Sequence, residues 1–171
     1  MSTVISKYIG ILSGEIMGED KRLFIGIDLG TSSVKLLMVN VHGEILNEIT
    51  KEYPLYFPRQ GWSEQNPDDW EKAVFEGIPE LICGYDADMV SGIGAGGQMH
   101  GLVVLDADDN VIRPAILWND GRTSDQVEYL NNEIGKDKLL NLTGNIAFAG
   151  FTAPKILWMT ENEPENFARI S

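Results

Sequence analysis

The sequence predicts an α/β fold in which helices flank a mixed sheet. Residues 23–39 contain two short apolar runs on either side of Gly30, Thr31 and Ser32, a pattern typical of two strands joined by a tight turn. Residues 41–44 form a second turn and residues 45–53 a third strand, so the sheet opens as an antiparallel meander. Helical periodicity follows these strands, and helices packed on a sheet define the α/β class.

The first helix is predicted to begin at Asn66, because Pro67 suits a first helical turn and two acids follow it. Its apolar face consists of residues at helical spacing: Trp70, Ala73, Val74, Gly77 and Ile78. Pro79 lacks the N–H that a continuing helix requires. We therefore expect the helix to kink or end near Glu76.

The second half of the chain is expected to alternate short strands with helices. Strands are predicted over residues 89–95, 102–105 and 115–118, with a glycine-rich bend at 96–101. Polar residues gather after the strand at 115–118, and ligands bind at the carboxyl ends of strands in open α/β sheets. Helical spacing covers residues 124–134 and stops at Gly135, and Pro154 and Pro164 lie near two further helix starts.

Three glycines formally match the dinucleotide-binding pattern G-x-G-x-x-G: Gly92, Gly94 and Gly97. A dinucleotide site requires a helix directly after the glycines, and an acid about 20 residues further on. The apolar run that begins at Leu102 predicts a strand instead. We therefore expect these glycines to bring the backbone close to a small ligand.

Composition narrows the class of protein. The 171 residues carry a formal net charge of −13, and no basic cluster that could bind nucleic acid is visible. No run of apolar residues is long enough to predict a membrane span, and the single Cys83 fits a reducing compartment, so we expect a cytoplasmic protein. Residues 1–21 are expected to be a disordered extension, with Met17 a candidate translation start.

The predicted hairpin carries a set of residues that could bind phosphate. A turn of Gly30, Thr31 and Ser32 presents N–H groups and hydroxyls, Asp28 could hold a hydrated Mg²⁺, and Lys35 adds a positive charge. The same residue types also suit an ordinary hairpin whose polar groups satisfy the turn. Residue types alone leave both interpretations open.

The order of the residues favours the first interpretation. Residues 27–32 followed by Lys35 resemble the first phosphate-binding motif of the actin-like ATPases, and in particular of the FGGY sugar kinases. Further stretches resemble the xylulokinase branch of that family, in the family's order: residues 61–67, 97–101, 113–123, 142–145 and 150–155. The resemblance implies a ribonuclease-H-like fold, with residues 22–171 an incomplete N-terminal FGGY domain.

Roles for individual residues follow from this resemblance. Asp28 would be the catalytic and Mg²⁺-binding residue, and ATP would contact Gly30, Thr31, Ser32 and Lys35. The sugar would contact Gln98, Met99, His100, Trp118 and Asp120. Two alternatives stay open: Trp118 could be ordinary core packing, and Asp120 could serve structure by pairing with Arg122.

The implied reaction transfers the γ-phosphoryl group of ATP to a pentulose, with D-xylulose the first candidate. In this family an aspartate acts as the general base, and it would lie beyond Ser171, so we expect this chain alone to be inactive. The implied partners are a sugar, the missing C-terminal portion or a second copy of the chain, with no nucleic acid and no membrane. The alternatives are a kinase for another sugar or polyol, a regulatory sugar sensor, and a non-catalytic fragment or subunit that pairs with a separately encoded remainder.

Overall fold

The structure, a computed structural model, describes residues 21–171. The prediction of a disordered extension and of a start at Met17 therefore lies outside the described residues, Lys21 excepted. The chain divides into two compact units. The first contains the described residues up to Tyr53 together with Trp70–Gly97, and the second contains Pro54–Asp69 and Gln98–Ser171.

A four-stranded mixed sheet forms the centre of the first unit. Its strands are β1 (Leu23–Leu29), β2 (Ser33–Asn40), β3 (Ile45–Glu52) and β5 (Val90–Gly97), in the spatial order β3-β2-β1-β5. The β1–β2 and β2–β3 pairs are antiparallel, whereas β1 and β5 are parallel. The predicted mixed sheet and opening meander are thus confirmed, although β5 extends two residues beyond the predicted end of that strand.

The first helix, α1 (Pro67–Leu81), covers one face of this sheet. Ala73 and Gly77 are buried on the predicted apolar face, but the expectation that the helix ends near Glu76 is wrong, because α1 continues through Pro79 to Leu81. A kink near Glu76 stays a prediction. Pro79 lies on the exposed side of α1, where water can reach the carbonyl group that its missing N–H leaves unpaired. The last turn is held because Leu81 is fully buried and its carbonyl accepts a hydrogen bond of 2.7 Å from the Asn47 amide.

Strand register separates the two faces of the sheet. Alternate side chains of β1 and β2 form the core with α1, and those fully buried in β2 are Val34, Leu36 and Met38. The other face carries Asp28, which lies opposite Lys35 of β2 and Gly96 of β5. The acid therefore projects away from the core that fixes its strand.

The second unit contains a smaller sheet. Strands β4 (Glu64–Gln65) and β6 (Ala115–Ile116) pair antiparallel, and Leu102 forms a single bridge to Ile116. The predicted strand over residues 102–105 is wrong, since that segment makes only isolated bridges. The strand predicted at 115–118 is shorter than expected, since β6 covers only Ala115–Ile116. It pairs antiparallel with β4, so the expectation that ligands bind at the carboxyl ends of parallel strands does not apply to it.

Helices complete the second unit: α2 (Ser124–Tyr129), α3 (Lys136–Thr143), α4 (Thr152–Asn162) and α5 (Pro164–Phe167). The predicted helix over residues 124–134 changes at Leu130–Gly135 into a wider π-helical turn. Gly135 does end it, with φ of 94°. The core of this unit combines Trp158 and Met159 of α4 with Leu102, Val104 and Ile116.

No helix within residues 21–171 is long and apolar enough to cross a membrane.

Candidate functional site

The phosphate-binding candidates of the first unit lie at the tip of the β1–β2 hairpin. Residues 30–32 join the two strands, and the Gly30 N–H donates to the Ser33 carbonyl at 3.0 Å. Tyr53, directly after β3, fixes this tip twice. Its N–H donates to the Ser32 carbonyl at 3.2 Å, and its hydroxyl donates to the Gly30 carbonyl. The turn is therefore held in one conformation from the neighbouring strand.

Tyr53 also reports the environment beneath the tip. Burial, and to a lesser extent the negative charge of Asp28, raise the pKa of the Tyr53 hydroxyl to about 12. Tyr53 therefore stays neutral, and its hydroxyl remains a hydrogen-bond donor, throughout the physiological pH range. A neutral donor suits a position next to a carboxylate because it adds no second negative charge.

Asp28 is exposed and forms no hydrogen bond or ion pair with the described residues. A Cβ atom added to Gly94 or Gly96, both on the neighbouring strand β5, would meet open space. The carboxylate thus stands beside a stretch of bare backbone rather than beneath bulky side chains. A ligand could approach Asp28 closely across this strand.

These residues fit a magnesium–phosphate group. Within residues 21–171, no cluster of three or more His, Cys, Asp or Glu side chains could form an all-protein metal site. Mg²⁺ commonly keeps several waters and is held by one or two carboxylates together with substrate phosphates, so a single exposed Asp28 is sufficient. The backbone of the Gly30–Ser32 turn can supply N–H donors to the phosphate.

Lys35 has a different environment from the one its sequence position suggested. Its ammonium group lies 3.1 Å from Glu48 on β3, and both side chains are about half exposed. An exposed pair of this kind contributes little to stability and exchanges readily with water. The ammonium has three donors, so the contact with Glu48 leaves Lys35 able to bind a second anion.

The sugar-binding candidates lie in the second unit, where His100 has an unusual conformation. Its φ of 63° places a non-glycine residue in the left-handed region. The imidazole stacks on Phe151, with ring centroids 4.5 Å apart and an interplanar angle of 21°. His100 is nevertheless exposed, so its imidazole can donate a hydrogen bond to a ligand hydroxyl or accept one from it.

The other predicted sugar contacts differ in exposure. Met99 is 71% exposed and Trp118 is 49% exposed, so neither is ordinary core packing in the described chain. The Gln98 side chain is partly buried, and its amide NH₂ donates to the side-chain oxygen Oε1 of Gln65 at 3.0 Å. Gln65 is fully buried, and its amide NH₂ donates to the Pro54 carbonyl. The segment around Gln98 is therefore held in place through the side chain of Gln65.

Asp120 is fully buried, and its carboxylate already accepts four hydrogen bonds. One oxygen accepts from the Ser63 N–H at 2.6 Å and from Arg122 Nη2 at 2.8 Å. The other accepts from the N–H and the Nε of Arg122, both at 2.9 Å. This geometry matches the structural role that the sequence left open, and a sugar contact by Asp120 stays a prediction.

Arg122 is the centre of a buried charged network. Its guanidinium lies 2.7 Å from Glu64, which also pairs with Arg113, and Arg113 reaches Glu163 at 3.2 Å. The guanidinium also stacks 3.7 Å from the ring centroid of Trp62. Planar Arg side chains favour such combined ion-pair and aromatic contacts. The network fixes the loop that follows Trp118.

Sequence reasoning gave no role to two residues that the structure connects to the candidate sites. Tyr53 fixes the hairpin tip, and its place at the end of a predicted strand gave no sign of this. Lys155 is fully buried, and its ammonium donates to the carbonyls of His100 and Gly150 at 2.7 and 2.8 Å. The sequence did contain one signal of this burial. Lys155 is a single lysine beside Pro154, directly ahead of a largely apolar helical run.

Comparison with known proteins identifies the class. Residues 23–171 match the N-terminal domain of the FGGY family of carbohydrate kinases. That match covers well over half of the sequence, so the chain belongs to the FGGY family. The resemblance inferred from the hairpin and the later motifs is confirmed.

Individual relatives are xylulose kinases. The chain is 49% identical over 149 residues to the xylulose kinase of Bacillus subtilis, which covers 86% of this chain and 30% of that protein. A Brucella ovis crystal structure, described as a xyloylose kinase, has 41% identity and a TM-score of 0.81 over 87% of this chain and 31% of its own. Xylulose kinase from Rhodospirillum rubrum has 29% identity and a TM-score of 0.82 over 87% of this chain and 31% of its own.

These likenesses confirm the predicted actin-like ATPase fold, represented here by part of the N-terminal domain. The chain spans about a third of the length of the relatives it matches.

Proposed function

We propose that this chain is the N-terminal part, residues 22–171, of an ATP-dependent sugar kinase that converts D-xylulose to D-xylulose 5-phosphate in the cytoplasm. The observation that carries the proposal is the 49% identity to a xylulose kinase over 149 residues. That stretch includes the hairpin and the segment around His100. The xylulose assignment rests on the relatives, whereas the chemistry of each residue follows from its surroundings.

The hairpin of the first unit would bind the phosphates of ATP. Thr31 and Ser32 would donate hydrogen bonds to phosphate oxygens, and Lys35 would add a charge. Gly30 would let the phosphate approach the turn closely, since its own N–H already donates to the Ser33 carbonyl. Asp28 would hold the hydrated Mg²⁺, whose contribution is to neutralise charge on the transferring phosphoryl group. The open space beside Asp28 and the fixed turn support this assignment because neither requires rearrangement.

The second unit would bind the sugar. The exposed face of Trp118 would pack against the carbon face of the pentulose, and His100 would hydrogen-bond one of its hydroxyls. Met99 would contact the sugar beside His100, and Gln98 would support that segment. Asp120 would act on the site through the loop that it fixes, since its oxygens are occupied.

The test is sugar-dependent release of ADP. The assay uses the 171-residue chain and a chimera in which residues 23–171, the part that matches the family's N-terminal domain, replace the corresponding segment of the Bacillus subtilis relative. We expect the chimera to release ADP with D-xylulose at about 1–100 per second, the ordinary range of kinases. The chain alone should release none above background, because the family's base is expected beyond Ser171.

Three results would contradict parts of the proposal. A folded chimera that uses glycerol or gluconate in preference to xylulose would correct the substrate. A folded chimera that releases no ADP with any sugar would remove the kinase assignment. Turnover by the 171-residue chain alone would show that the catalytic base lies within it.

A further inference from the structure

We propose that Lys155 is a positioning residue that fixes the backbone of His100 and so holds its imidazole in place on Phe151. The consequence for sugar binding rests on the proposed function. The anchoring of His100 itself does not, and it can be tested in this chain without any ligand.

The argument starts from the burial of Lys155. Its side chain is fully buried in α4, yet among the described residues it forms no salt bridge. Burying an ammonium without a carboxylate is costly, and a methionine of similar length would fill the space without that cost. The charge is therefore explained by the two carbonyl groups it binds rather than by packing.

The two carbonyl groups lie in the two backbone segments that carry the stacked rings of His100 and Phe151. The ammonium donates to the His100 carbonyl at 2.7 Å and to the Gly150 carbonyl at 2.8 Å. Phe151, the residue after Gly150, stacks on the imidazole of His100 at 4.5 Å. One ammonium thus ties together the two backbone segments whose side chains form the stack. Thr152 adds a weaker contact, since its hydroxyl lies 3.4 Å from the same His100 carbonyl.

His100 needs such an anchor because of its backbone. A non-glycine residue at a φ of 63° persists only where surrounding contacts hold it. The stack alone leaves the carbonyl free to rotate with the backbone, whereas two hydrogen bonds to that carbonyl, from Lys155 and Thr152, oppose rotation. Burial lowers the pKa of Lys155 to about 8, with Asp120 opposing that effect and Arg122 adding to it, so near pH 7 the group remains mostly an ammonium.

The first experiment measures the two histidine ring resonances by NMR. The chain contains only His42 and His100, so each resonance can be assigned by substitution. Stacking on Phe151 displaces the His100 ring protons upfield from the position of a free histidine. In Lys155→Met we expect this displacement to be lost, while the His42 resonance is unchanged. In Thr152→Val, which removes the weaker contact, we expect a smaller movement in the same direction.

The matched control is Met159→Ala. Met159 is fully buried in α4 one turn after Lys155 and contributes to the core, but it has no hydrogen bond to His100. We expect Met159→Ala to lower the melting temperature while leaving the His100 resonance in place. This control separates general loosening of α4 from loss of the carbonyl anchor.

The second experiment measures the dissociation constant of D-xylulose by calorimetry. Lys155→Met should weaken binding about tenfold or more, the effect of one misplaced hydrogen-bonding group, and Thr152→Val by about twofold. Met159→Ala should leave the constant unchanged in the folded chain. If Lys155→Met does not fold, Thr152→Val provides both measurements.

The outcomes separate this proposal from the proposed function. A His100 resonance that stays in place in Lys155→Met, or that moves equally in Met159→Ala, would overturn the positioning role. The resonance could move as expected while the wild-type chain binds no xylulose. In that case the positioning role of Lys155 stands, and the proposal that this chain binds xylulose is wrong.

Discussion

Replacing Asp120 by alanine should destabilise the second unit strongly. The change removes a carboxylate that accepts four hydrogen bonds of 2.6–2.9 Å in a fully buried site. Breaking a buried ion pair by removing one partner typically costs about 3–5 kcal/mol. Arg122 keeps Glu64 at 2.7 Å and its contact with Trp62, which places the expected loss at the low end, about 3 kcal/mol.

The assay is urea unfolding followed by tryptophan fluorescence. Trp62 and Trp158 both flank Arg122, so their emission reports the network directly. A loss of about 3 kcal/mol corresponds to a fall in melting temperature of about 6–12 °C for a chain of this size. Asp120→Asn, which keeps the shape but not the charge, should show an intermediate loss. The control is Asp108→Ala, an exposed acid in a turn, which should change stability by less than about 0.5 kcal/mol.

One result would refute the structural reasoning. If Asp120→Ala costs less than about 1 kcal/mol while xylulose binding is abolished, the carboxylate serves the sugar rather than the loop. A structural role of Asp120 therefore predicts a large loss of stability, whereas a sugar-binding role predicts a large loss of affinity with little loss of stability.

The remaining predictions concern four residues. In the chimera, His100→Ala should raise the KM for xylulose by about 10–100-fold and leave the KM for ATP unchanged, whereas equal changes in both would indicate a structural role. Asp28→Ala should lower kcat by about 100-fold or more at saturating Mg²⁺, with Asp28→Asn testing the charge alone, and near-normal kcat in either would end the metal assignment. Gly150→Ala should destabilise the chain by about 1–3 kcal/mol in urea unfolding, because the added Cβ would lie 2.6 Å from the backbone oxygen of Trp118; unchanged stability would show that this approach relaxes freely. Between pH 8 and 10.5 the unfolded chain holds a proton on Lys155 that the folded chain has released. The free energy of unfolding of the wild-type chain should therefore rise with pH by about 3 kcal/mol over this range, measured relative to Lys155→Met. If the two chains give parallel profiles of stability against pH, the lowered pKa of Lys155 is wrong.

Local patterns in the sequence were sufficient for the first unit's hairpin. Two apolar runs interrupted by a turn of small residues can form few other structures, and the register that follows places Asp28 opposite Lys35. The order of later motifs then identified the family. Pro79 was misread because a helix rule considers only the lost hydrogen bond, whereas burial of Leu81 and the Asn47 amide hold the last turn.

The roles of the buried charges were decided by tertiary structure alone. Asp120 and Arg122 are two residues apart, so their pairing was foreseeable, but Ser63, Glu64 and Trp62 reach them from a distant segment. The spacing of residues along the sequence does not indicate which oxygen atoms of a carboxylate a distant segment will hydrogen-bond.

The same limit applies to the contacts that hold His100 and the hairpin tip. Lys155 is 55 residues from the carbonyl of His100, and Tyr53 is 23 residues from that of Gly30. The sequence determined which residue types could bind phosphate and sugar, because those follow from local order. Only the folded chain determined what holds them in position, because hydrogen bonds between distant segments form only when tertiary packing brings the segments together.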